Sequence, residues 1–241
     1  MQNLLRRCVA EALGTFFLVL IGPGAAMVDA FTGGKLGHPG VALSFAFVVT
    51  AMIYALGHIS GAHINPAVTV AFASARRFPR HDVLPYVAAQ CAGAIAASLL
   101  SRSALGPVGH MGATLPAVTI WTAFGVEWVL SFGLMFVVMA VATDERVAGG
   151  FAGIAVGLTV GFEAMAGGPL TGASMNPARS LGPAVAGGGW TGHWLYWVAP
   201  LTAMAAATWL YEWLRPAKLP RVVPLGIEGP LDHPPRGRTG D

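Results

Sequence analysis

The chain has 241 residues, 55% of them hydrophobic and only 10% charged, with a mean hydropathy of +0.63 and a formal net charge of +3. Soluble domains carry about 25% charged residues, so this composition excludes an ordinary water-soluble protein and places the chain in lipid. The small positive charge sits in loops and a tail, where it bears on membrane orientation and not on nucleic acid.

The N-terminal run after Arg6 and Arg7 has the outline of a signal peptide, but it is long enough to span a bilayer and carries Glu11. It reads as a retained first span. Six stretches, about 8–28, 40–57, 83–104, 118–142, 149–167 and 193–214, read as transmembrane helices. Small residues within them, such as Gly14, Ala94, Gly133 and Gly157, let helix backbones approach closely. Cys8 and Cys91 lie in or beside apolar runs and read as small packing residues, with neither a disulfide framework nor a metal site.

Basic residues gather at Arg6 and Arg7, at Arg76, Arg77 and Arg80, at Arg146, and in the tail from Arg215; the opposite loops hold Lys35 and Arg102. By the positive-inside rule both termini face the cytoplasm, as an even number of spans requires. The chain therefore divides into a membrane domain over residues 1–214 and a Pro-, Gly- and charge-rich cytosolic tail, expected to be disordered, over 215–241.

The tripeptide Asn-Pro-Ala occurs twice, as Asn65-Pro66-Ala67 and Asn176-Pro177-Ala178, separated by 176 − 65 = 111 positions. Each copy follows a small-residue run, Gly40 to Leu43 has a counterpart in Gly153 to Val156, and Glu11 is answered by Glu127. Two related halves, about 8–104 and 118–214, account for this. With three spans each, the second half enters the membrane from the opposite side, so the copies are inverted.

Each Asn-Pro-Ala precedes about two turns of small or apolar residues, too short to cross a bilayer and suited to a re-entrant half-helix. Asparagine is a favoured helix N-cap and proline a favoured first residue, because proline lacks a donor that would be orphaned there. Two half-helices entering from opposite faces would bring their N-termini, each with roughly +0.5 elementary charge, together near the midplane. Non-helical backbone at that depth must be buried in protein or line water. Asn65 and Asn176 then offer donors to a passing water at a centre that repels cations and protons.

These paired motifs resemble the aquaporin, or major intrinsic protein, family, and the resemblance extends to about Leu214. It implies an all-α membrane fold, a right-handed bundle of six transmembrane helices plus two re-entrant half-helices, assembled as a homotetramer with one pore per subunit in the plasma (inner) membrane. It implies no cofactor. Glu11 and Glu127 would accept hydrogen bonds from the backbone of the re-entrant loops and brace them. Arg179 would belong to an outer constriction with Phe45, Ala164 and Ala173. Water-selective members usually have histidine where Ala164 stands, and glycerol facilitators have an acid where Ser180 follows the arginine. Ala184 and Tyr196-Trp197 look aquaporin-like, while the loops 57–63 and 168–174 are similar to those of plant nodulin-like intrinsic proteins, which pass water, glycerol and neutral metalloid acids.

The reading is a passive channel for water and small uncharged solutes that excludes protons and ions. Its alternatives are a facilitator mainly for glycerol or metalloid acids, or a secondary transporter, since transporters also use inverted repeats and broken helices. Coupled transport needs an ionisable group that cycles, and only Glu163 is spare. His58 and His63 read as hydrogen-bonded braces of their loop. No nucleophile with a base, metal-ligand spacing or phosphate-binding loop supports an enzyme.

Overall fold

The structure, a computed structural model, describes residues 3–144 and 149–215. Arg146 and all of the tail beyond Arg215 lie outside these residues. Eight α-helices are present in the described part: α1 (Leu4–Phe31), α2 (Gly37–Ser60), α3 (Pro66–Ser74), α4 (Val83–Leu105), α5 (Ile120–Thr143), α6 (Ala152–Thr171), α7 (Pro177–Gly187) and α8 (Leu195–Leu214).

Several helices run past the ends that hydrophobicity alone suggests. Asn3 caps α1 by accepting a hydrogen bond from Leu5 N at 3.0 Å, which adds a turn before residue 8. At its other end α1 continues through Pro23, and Asp29 Oδ1 then accepts from Leu36 N and Gly37 N, closing the turn into α2. Both α2 and α6 stop at a left-handed glycine, Gly61 with φ 90° and Gly172 with φ 86°. A residue with a Cβ is strained there, so glycine ends the helix and frees the chain to turn inward.

Among the described residues, α1, α2, the segment containing α4, α5 and α6 are long and apolar enough to cross a membrane. The sixth expected span, α8, has 20 residues, about 30 Å of helix, but its Tyr, Trp and Pro residues and Glu212 make it less apolar than the other five. It takes the place in the second half that α4 takes in the first.

Packing repeats the sequence symmetry. Helix α1 packs on α4 and α2 as α5 packs on α8 and α6, while α2 and α6 pack on each other between the halves. The two short helices cross over: α7 lies against α4 and α3 against α8. Small residues permit these approaches. A Cβ on Gly182 of α7 would lie 2.5 Å from the Ala94 carbonyl oxygen of α4, and one on Gly157 of α6 would lie 2.7 Å from the Ala46 carbonyl oxygen of α2. Gly14 instead makes room for the Ile64 side chain, and Gly133 for the Glu163 carboxylate. Cys8 and Cys91 are free and half-buried.

Candidate functional site

The two short helices begin as their sequence dictates. Asn65 and Asn176 are extended N-caps; Asn65 Oδ1 accepts from Ala67 N at 2.9 Å, and Asn176 Oδ1 accepts from Ala178 N at 3.0 Å. Pro66 and Pro177 occupy the first helical positions. The residues leading into each cap alternate in handedness, with positive φ at Ala62 and Ile64 and again at Ala173 and Met175. Such conformations are costly for residues bearing a Cβ and persist only when the surroundings hold them.

What holds them is a buried carboxylate in each half. Glu11, fully buried in α1, accepts from His63 N at 2.9 Å, Ile64 N at 2.6 Å and Ser60 Oγ at 2.7 Å. Glu127, fully buried in α5, accepts from Ser174 N at 2.8 Å, Met175 N at 2.9 Å and Thr171 Oγ1 at 2.7 Å. Two tyrosines complete the frames: Tyr86 donates to the Ser60 carbonyl and Tyr196 to the Thr171 carbonyl. The residues of one frame recur in the other at nearly constant spacing. The tyrosines, Ser60 and Thr171 could have been found by carrying that spacing through the whole sequence.

The halves then tie to each other. Asn65 Nδ2 donates to the Met175 carbonyl at 2.8 Å and Asn176 Nδ2 to the Ile64 carbonyl at 2.9 Å. An amide nitrogen carries two hydrogens, so each asparagine keeps a second donor after making this tie. Both asparagines line a cavity of about 110 Å³ that is otherwise mostly apolar, with Ile53, Val141, Ala152 and Val156 among the lining residues.

A second cavity, of about 290 Å³, includes Asp29, His38 and Gly112 in its wall. The two cavities share Phe45, Ala164 and Arg179, and Ala173 lines the first of them. Of the four residues expected at a constriction, Phe45, Ala164 and Arg179 lie where the cavities meet and Ala173 lies in the wall of the first cavity. Arg179 is buried, its guanidinium carbon 5.0 Å from the centre of the Phe45 ring and its Nη1 donating to the Gly112 carbonyl at 2.8 Å. Among the described residues it has no carboxylate within salt-bridge distance. The Gly112 contact was not legible in the sequence: it belongs to a short turn, Val108–Gly112, in which Gly109, His110 and Met111 are all left-handed. Thr114, just beyond, donates to Ser180 Oγ, which ties the same connection to α7.

His63 has a structural setting. Its Nδ1 is 3.1 Å from Thr69 Oγ1, and its ring packs among Phe72, Phe78 and Tyr86. Glu163 is buried and lines neither cavity; its side chain turns toward Gly133 of α5, and Oε2 has no hydrogen-bond partner among the described residues. The described residues contain no group of His, Cys, Asp and Glu able to hold a metal ion.

A bundle of membrane-length helices, with two capped half-helices meeting beside a pair of adjoining cavities, defines a multi-pass membrane channel. The sequence matches the family described as Major intrinsic protein over residues 1–211, and the chain belongs to that family, the aquaporins. It is 46% identical to Aquaporin NIP1-3 of Oryza sativa subsp. japonica over 211 residues, 87% of this chain and 74% of the relative. It is also 46% identical to Nodulin-26 of Glycine max over 212 residues, 88% of this chain and 78% of the relative. Among solved structures, the aquaglyceroporin from Plasmodium falciparum matches with a TM-score of 0.72 and 26% identity, covering 87% of this chain and 96% of that one. The family consists of channels and not enzymes, in keeping with the absence of catalytic patterns from the sequence.

Proposed function

We infer that the channel conducts water and small uncharged solutes passively while excluding protons and ions. The observation that carries this reading is the junction of the two cavities at Phe45, Ala164 and Arg179. One side of the junction offers a fixed cation and an aromatic ring, and another offers only the methyl group of Ala164. Arg179 donates to a permeating oxygen and repels cations, while the short alanines at 164 and 173 leave width for a polyol or a neutral hydroxy acid. At the centre, Asn65 and Asn176 present their remaining amide hydrogens beside two helix N-termini whose positive ends oppose a proton. Pro66, Ala67, Pro177 and Ala178 start those helices, and Glu11 and Glu127 hold the loops that lead to them.

A facilitator used mainly for glycerol or metalloid acids is the second reading, favoured by the alanine at 164. The name of the Plasmodium falciparum structure, an aquaglyceroporin, points the same way. A coupled transporter is less well supported, because Glu163 lines neither cavity. Residues 1–214 form the conducting domain, in two repeats of about 8–104 and 118–214, with the tail over 215–241 outside it. The distribution of basic residues supports cytoplasmic termini, and the family resemblance supports a homotetramer in the plasma (inner) membrane.

Purified protein in liposomes, followed by stopped-flow light scattering under sucrose, glycerol and urea gradients, tests the reading. Water and glycerol fluxes above those of empty liposomes are expected. Water flux equal to that of empty liposomes with raised glycerol flux would favour the second reading, and flux that requires a proton gradient would favour a transporter.

A further inference from the structure

We propose that Gly22, on α1, is a specificity-determining position of this channel: it acts through Phe45 by supplying the space in which the ring rests, and so sets the width of the constriction. Gly22 is buried and lines neither cavity. A Cβ built on it would lie 2.6 Å from Phe45 Cδ1 and 2.7 Å from Cζ, with Cε1 closer still. The ring is thus seated on the bare backbone of α1 at van der Waals distance. On the pore side it meets the Arg179 guanidinium, 5.0 Å from its centre. Phe45 is buried, and its own helix α2 packs on both α1 and α6.

Adding one methyl group at position 22 requires the ring to shift, because the helix backbone it contacts cannot recede without disturbing α1. The space beside the ring is the lumen shared with Ala164 and Arg179, so the shift narrows the passage. Overpacking of this kind usually moves side chains before backbones. A difference of one methylene in a tight pocket commonly changes discrimination by about tenfold or more. Gly22 is accordingly a positioning residue whose influence reaches the solute through Phe45.

The inference rests on the assignment of Phe45 to the solute filter. The test is a cycle of four channels in liposomes: the natural sequence, Gly22→Ala, Phe45→Leu, and the double variant, each assayed for glycerol and water flux per folded protein. Gly22→Ala is expected to lower the glycerol-to-water flux ratio by about tenfold, and the same substitution in the Phe45→Leu background is expected to change the ratio little. If Gly22→Ala leaves the ratio unchanged, or lowers it equally in both backgrounds, the proposal is overturned. If Phe45→Leu itself leaves the ratio unchanged, the filter assignment fails instead. Should Gly22→Ala alone not fold, recovery of folded protein in the double variant supports the seat, and failure to recover counts against it.

Discussion

Gln90 Nε2 donates to Glu11 Oε2 at 2.8 Å. The same nitrogen reaches Thr69 Oγ1 at 3.0 Å, so one side chain of α4 ties the buried acid to the first half-helix. In the second half the tyrosine pair Tyr86 and Tyr196 sets a spacing of 196 − 86 = 110, which puts Pro200 where Gln90 stands. Proline has no side-chain donor, and Glu127 accepts three hydrogen bonds where Glu11 accepts four. Replacing Gln90 with leucine should therefore leave the first brace resembling the second. The loss should be about 1 kcal/mol of stability, the net worth of one hydrogen bond, because Glu11 Oε2 keeps Ile64 N as a donor. Thermal unfolding of the detergent-purified channel measures it, and an unchanged midpoint would show that the fourth bond contributes nothing.

Glu127→Ala should be more damaging, since it strips acceptors from Ser174 N, Met175 N and Thr171 Oγ1 together. Backbone donors left unpaired in a buried site each cost about 1–3 kcal/mol, and the left-handed residues at Ala173 and Met175 lose what holds them. We expect a poor yield of folded protein or a channel with reduced water permeability. A stable variant with unchanged permeability would remove the acid from the bracing role.

Gly93→Leu tests the close approach of α1 and α4. A Cβ at position 93 would already lie 3.0 Å from the Ala12 carbonyl carbon and 3.1 Å from Phe16 N. Overpacking between two spans costs about 1–3 kcal/mol, and leucine adds bulk beyond the Cβ. Loss of the monodisperse peak in size-exclusion chromatography is the expected result, whereas the outward-facing Gly125, with open space around its Cβ, should accept alanine without effect.

The fold is largely legible in the sequence because the doubled Asn-Pro-Ala and the paired acids Glu11 and Glu127 recur at similar spacing. Helix ends were less legible. Capping by Asn3 is a hydrogen bond that hydrophobicity does not register, so the start of α1 lies a turn before the apolar run. Hydropathy also undervalues α8, whose Trp and Tyr residues score as polar although their rings are largely apolar. At the site, residues that touch the pore through side chains could be nominated from type and position. Gly112 contributes a carbonyl oxygen to Arg179; since every residue has such an oxygen, no side-chain pattern marks it. Nor does any pattern mark Gln90, whose partner acid lies in another helix and whose own half-repeat counterpart is a proline.

Ala164→His should narrow the junction of the cavities by adding a ring opposite Phe45. Glycerol flux through proteoliposomes should fall by about tenfold, as expected for added bulk in a tight pocket, with water flux kept within about twofold. Unchanged glycerol flux would mean that the wall at residue 164 does not limit the solute.

Arg179→Val removes the one fixed cation at that junction along with its donor to the Gly112 carbonyl. With the positive charge gone, the barrier to cations rests on the half-helix N-termini alone. Measurable potassium or proton conductance in planar bilayers is the expected gain, together with higher urea flux. Electrical silence with unchanged urea flux would place the barrier entirely at the asparagines.

The crossed packing of the short helices carries a consequence for biosynthesis. Helix α3 lies against α8, the last span of the described chain, and α7 lies against α4, made long before it. The first repeat therefore leaves the ribosome with a re-entrant segment whose principal support does not yet exist. The Ile64 carbonyl and the Asn65 amide likewise wait on Asn176 and the Met175 carbonyl of the later repeat. A nascent chain stopped after α5 holds four spans and a half-helix, α3, whose partner α8 is still to be made, so the paired half-helices and the passage beside them are complete only when the last helix is inserted.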